Sequence, residues 1–167
     1  KFEETSGSGV PVAGIKINDP LIDSIARGYE LLFADDETVG DGIGTLMLVR
    51  SGPSSNPDPD TGGIRETLAS TRAYLPLEKR ISFLLMATSD GRNQVNLKAA
   101  AYDPENVIRT VTRLDAVDAR RGRSSASKPY DKGGFGFVVQ NAEVSFKEIK
   151  VNTCSNRDPN CFELITD

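Results

Sequence analysis

Between Gly133 and Val151 the chain reads Gly-Gly-Phe-Gly-Phe-Val-Val-Gln-Asn-Ala-Glu-Val-Ser-Phe-Lys-Glu-Ile-Lys-Val. Two segments rich in Val and Phe meet at a polar Gln140-Asn141 turn. Side chains on a strand alternate faces with period two, so Val144 and Phe146 share one face while Ile149 and Val151 have the opposite parity. Keeping all four in one core requires an extra residue near Lys147 and Glu148, a β-bulge. The chain is therefore expected to finish in a kinked closing strand.

The rest of the sequence has the same short period. Val10-Val12 with Ile15-Ile17, then 29–33, 45–49, 81–87, 95–101 and 107–114 alternate apolar and polar residues as strands do. Turn-forming clusters separate them, at 51–63, 89–91, 103–106 and 124–134. Asp90-Gly91, between two such runs, predicts a hairpin. One short helix is predicted over Asp19 to Ile25, with Asn18 or Asp19 as N-cap, Pro20 in the first turn and Gly28 beyond the end. With 167 residues, 38% hydrophobic, 15 Gly and 9 Pro, the expectation is one all-β domain over 1–167, an antiparallel β-sandwich of jelly-roll type with at most one short helix.

The closing motif, Gly-Phe-Gly-Phe, a short turn, then Val-x-Phe-x-x-Ile-x-Val, resembles the last strands of concanavalin A-like lectin/glucanase domains. About twenty of the 167 residues carry the resemblance. It implies a jelly-roll sandwich with a glycan groove on its concave sheet. It also implies a structural calcium held by an acid in the last strand, a position occupied here by Lys147.

Cys154 and Cys161 enclose six polar, turn-forming residues, a spacing that lets a disulfide close a surface loop. A zinc pair is the competing reading, poorly supported because the chain has no His and only two Cys; two free thiols are the plain alternative. A disulfide implies an oxidising compartment: secreted, periplasmic or at the cell surface. No apolar run nears the roughly 20 residues that span a bilayer. The opening Lys-Phe-Glu-Glu carries no signal-peptide pattern, so a mature form or a module excised from a larger protein, such as one tethered to an enzyme domain, is expected.

Charge is segregated. From Arg109 to Lys132 seven basic residues (Arg109, Arg113, Arg120, Arg121, Arg123, Lys128 and Lys132) face three acids, Asp115, Asp118 and Asp131. This stretch is net +4 in a chain of −4. Such a field suits an anionic partner; the plainer alternative is a solvated loop. Nucleic acid fits poorly, because aromatics are not interleaved with the arginines and no binding signature is present.

Alternation also predicts a polar sheet face. If Val95, Leu97, Ala99 and Ala101 point inward, Gln94, Asn96, Lys98 and Tyr102 point outward, and Ile108 and Leu114 inward leaves Arg109 and Arg113 outward. Arg72 and Tyr74 could join this surface. Arg forks match carboxylates, amides pair with sugar hydroxyls, and Tyr rings stack on sugars. An ordinary solvent face would be polar too. With no Trp and 7% aromatics, binding must rest on charge and hydrogen bonds, favouring an acidic glycan.

No catalytic constellation emerges. The Glu-x-Asp-x-(x)-Glu run of family glucanases is absent, and the lack of His removes Ser-His-Asp, Cys-His and ordinary catalytic zinc chemistry. Tyr74 or Tyr102 with Arg72 and Gln94 could imitate a polysaccharide lyase. Asp58 and Asp60, at alternate positions before Gly62-Gly63, could hold a structural calcium or bond their own backbone; Asp35-Asp36-Glu37 with Asp41 is a second such cluster. No cofactor is required. The expected function is a non-catalytic module binding a polysaccharide, most simply an acidic one. A lyase or hydrolase, and a structural or adhesion domain of a surface protein, are the alternatives.

Overall fold

Strand-forming alternation fixes most of the architecture. The computed structural model describes residues 2–4, 10–19, 27–36, 42–53, 63–76, 79–89, 94–119, 129–130 and 133–151. Among these, the strands are β1 (Phe2–Glu4), β2 (Val12–Asp19), β3 (Gly28–Asp35), β4 (Ile43–Pro53), β5 (Gly63–Tyr74), β6 (Ser82–Ser89) and β7 (Val95–Tyr102). A helical corner, the 3-10 turn Pro104–Asn106 and α1 (Val107–Thr110), precedes β8 (Thr112–Asp118), β9 (Gly134–Gln140) and β10 (Ala142–Val144).

The chain folds as an all-β antiparallel sandwich. One sheet has the order β5-β4-β3-β2-β9, the other β6-β7-β8, and β1 pairs with β10 as a small ribbon. Sequence neighbours are sheet neighbours in both main sheets, with β9 returning beside β2. This order is that of two meanders, whereas a jelly roll passes successive strands between its sheets.

Register explains the core. Ile15, Leu31 and Leu48 lie in one cross-strand row, Ala13, Phe33 and Leu46 in the next. Opposite them Val95, Leu97, Ala99 and Ala101 of β7 point inward as predicted and are at most 1% exposed. Leu31, Phe33, Leu46 and Leu48 of these rows, with the four β7 residues and Leu114, belong to one buried cluster, against which Ile15 of β2 and Phe83, Leu85 and Ala87 of β6 pack partly buried. β6 lies against β2, and β8 against β5. The three-stranded sheet therefore stops one strand short of β9.

Four expectations change. The closing strand ends at Val144, and residues 145–151 form no strand. In place of a bulge, Glu148 takes a left-handed conformation (φ 53°), and Ile149 and Val151 stay 53% and 60% exposed rather than joining the core. Breaks in register fall instead at Asn18 (φ 59°) in β2 and beside Leu48-Val49 where β5 pairs with β4.

The run 107–114 is not all strand. Asp103 caps the corner by accepting the Glu105 amide at 2.9 Å, and Pro104 sits in the first turn, so Val107 and Ile108 are drawn into a helical turn. Ile108, expected inside, is 95% exposed. β5 was not anticipated: Gly-Ile-Arg-Glu-Thr-Leu-Ala-Ser-Thr-Arg-Ala-Tyr has little alternation, and pairing along the whole of β4 sets its conformation. The helix expected over Asp19 to Ile25 meets a β-strand at Asp19, and its other residues lie outside the described ones. The β6–β7 pairing holds as expected.

Candidate functional site

The outer face of β6, β7 and β8 carries the predicted polar set in part. Lys98 is exposed and sits directly opposite Asp115; Ala100 is opposite Arg113, and Asn96 is opposite Val117. Lys98 and Arg113 are therefore diagonal neighbours, roughly 7–8 Å apart along the sheet. Cations on neighbouring long side chains can both reach one anion, which offsets their mutual repulsion. Asp115, also exposed, is the nearby acid that competes with such a ligand. Half-buried Asn96 accepts from Gln94 Nε2 at 3.0 Å, and Val117, 54% exposed, supplies an apolar surface in the same row.

Other predicted members stand apart. Tyr102 is fully buried, because the corner from Asp103 to Thr110 packs against that end of β7, and its assignment to an open surface is corrected. Arg109 is exposed but belongs to α1. Arg72 and Tyr74 are exposed on β5, in the five-stranded sheet, so they do not share a surface with Lys98. Asp58, Asp60, Cys154 and Cys161 lie outside the described residues, as do Arg120, Arg121, Arg123 and Lys128. Among the described residues no three His, Cys, Asp or Glu side chains gather as a metal site, and no helix is long and apolar enough to cross a membrane.

A second polar assembly lies inside the sandwich. Asp118 Oδ2 accepts the Tyr29 hydroxyl at 2.9 Å and Arg50 Nε at 3.0 Å, with both members of the ion pair buried. The Tyr130 amide donates to the Tyr29 hydroxyl at 3.1 Å, and the Arg50 guanidinium lies 4.6 Å from the centre of the Tyr130 ring. The Tyr29 and Tyr130 rings meet edge to face at 5.9 Å, and Asn18 Nδ2 donates to the Tyr130 carbonyl at 2.8 Å. These contacts tie β2, β3, β4 and β8 to the segment that follows β8.

Parity could have revealed this network. Leu46, Leu48 and Arg50 share a face, as do Leu114, Ala116 and Asp118, which puts both charges inside. Asp118 is thus not one of the acids facing the basic stretch.

Burial, then the Asp118 charge and hydrogen bond, push the Tyr29 hydroxyl well above its ordinary value, against the smaller opposing effects of the Tyr130 amide and Arg50. It keeps its proton and acts as a donor rather than a base. The raised value has a consequence for stability. Below about pH 10 the folded and unfolded states both hold this proton; above it the unfolded chain releases it first. Stability should therefore fall as pH rises beyond about 10, by up to about 1.4 kcal/mol per pH unit from this group. Urea unfolding of the wild type and of Tyr29→Phe at about pH 9 and pH 11 checks it: the variant should show the shallower loss.

No family model, curated protein or solved structure matches the chain.

Proposed function

We propose that this domain is an exported, non-catalytic, lectin-like glycan-binding module, and that it takes an acidic, uronate-bearing polysaccharide on the outer face of β6, β7 and β8. The observation that carries the reading is the diagonal placement of exposed Lys98 and Arg113, with Asn96 and Val117 on the same face. The two exposed cations suit a carboxylate that repeats along an extended polymer. Export fits the Cys154–Cys161 spacing and an oxidising environment.

The lyase reading draws less support. Of its two tyrosines, Tyr102 is buried, and Tyr74 is on the other sheet from Gln94. Binding of uronate oligosaccharides against neutral ones of equal length tests the proposal: the uronates should bind and the neutral oligomers should not. Equal binding of both, or none, counts against it. Growth of the ultraviolet absorbance of an unsaturated uronate during incubation would turn the assignment to a lyase.

A further inference from the structure

Beyond Val144 the chain stops pairing. Residues 145–151 form no strand, and among the described residues none of them takes part in a backbone hydrogen bond. Two side chains anchor the segment instead. Phe146 stacks on Phe137 of β9 with ring centres 4.0 Å apart, and Glu148 forms an ion pair with Arg80, just ahead of β6. The segment therefore runs from the β9 margin to the start of β6, across the gap left where the second sheet ends.

These ties are slight beside the ladders around them. Phe146 is only half-buried, and the residues from Lys147 to Val151 are exposed. Both partners of the ion pair are exposed, and such a pair contributes little, less still as salt rises. Glu148 also holds a left-handed conformation (φ 53°), which costs a residue that carries a Cβ. Just upstream, by contrast, β10 is paired with β1, and β9 is paired along its whole length with β2.

We infer that residues 145–151 are a strap that opens as a unit, swinging from Ser145 while both main sheets stay folded. Segments with few buried apolar contacts and no ladder bonds open at a small fraction of the free energy of global unfolding. Closed, the strap covers Phe137 and lies against the start of β6, which has no other strand on its outer side among the described residues. Open, it bares that ring and the strand edge, whose unpaired N–H and C=O groups are a template for another chain. The strap is thus a guard on the open margin of the sandwich, and high salt, which screens the Glu148–Arg80 pair, favours its release. This inference does not depend on the glycan reading.

Native-state proteolysis of the full chain tests it. Trypsin cuts after Lys147 or Lys150 in the opened strap, and mass spectrometry separates these cuts from cuts elsewhere. When opening and closing are fast, the cutting rate follows the population of the open form. In the wild type that rate should stay nearly constant with urea below the unfolding transition, because sub-global opening exposes little surface. Phe146→Ala should speed the cuts at least about 10-fold and Glu148→Gln about 2- to 5-fold, with the circular dichroism of both variants unchanged. Raising the salt should speed cutting of the wild type more than of Glu148→Gln. Cutting that rises with urea in step with global unfolding, or that is indifferent to Phe146→Ala, overturns the proposal. So does a Phe146→Ala variant that no longer folds, since the segment would then belong to the cooperative core.

Discussion

Replacing Asp118 by alanine should destabilise the protein by about 3–5 kcal/mol, lowering Tm by roughly 10 °C. The carboxylate accepts from both Tyr29 and Arg50 at 3.0 Å or less, and the guanidinium it faces is only 6% exposed. Removing it strips that buried charge of its counter-ion, which costs more than the pair itself contributes. The contrast with an apolar double replacement is the sharper check. Arg50→Met with Asp118→Leu removes both charges at similar volume and should lose less stability than Asp118→Ala alone, with an interaction energy of about 1–3 kcal/mol in the double-mutant cycle. Chemical denaturation of the wild type, Arg50→Met, Asp118→Leu, the double variant and Asp118→Ala measures both. Additive losses would mean that Arg50 and Asp118 act independently.

Phe33→Ala should cost about 3–5 kcal/mol by opening a cavity between the sheets. Phe33 is 2% exposed, in the row of Ala13 and Leu46, and its ring also covers Gly44 of β4. A Cβ added to Gly44 would fall 2.8 Å from the tip of the ring, and closer still to the carbonyl oxygen of Ala34. The ring can turn away; the backbone of β3 cannot do so without parting the two strands. Gly44→Ala should therefore destabilise the protein by about 1–3 kcal/mol, and Phe33→Ala should not relieve that loss. Thermal unfolding of the two single variants and the double variant reads both effects. Recovery of stability in the double variant would show that the ring, rather than the strand, sets the limit at Gly44.

Period-two alternation made most of the sheet legible. It located β2, β3, β4, β6, β7 and β9 and put Val95, Leu97, Ala99, Ala101 and Leu114 inside, because buried rows leave a plain mark in sequence. β5 left none: it is largely exposed, and its conformation is imposed by pairing with β4 rather than by its own pattern. The turn at 103–106 was read as such, but 107–110 was misread as strand because the cap formed by Asp103 and Pro104 outweighs the β propensity of Val107 and Ile108. At the C-terminal run, parity raised a real conflict, but the chain resolves it by leaving Ile149 and Val151 exposed instead of adding a bulge.

The candidate face was legible in the same measure. Lys98, Arg113 and Asn96 fall where alternation puts them. Tyr102 does not, because a tertiary contact closes the end of its strand. Arg72 and Tyr74 share its polarity, but only the strand order reveals that they belong to the other sheet.

The most direct test of the account is the affinity of a defined uronate oligosaccharide, measured by titration calorimetry at low and at physiological salt. The wild type should bind more weakly as salt rises, and Lys98→Ala with Arg113→Ala should lose about 10- to 100-fold in affinity and most of the salt dependence. Unchanged affinity and an unchanged salt response in that double variant would contradict the placement of the glycan on this face.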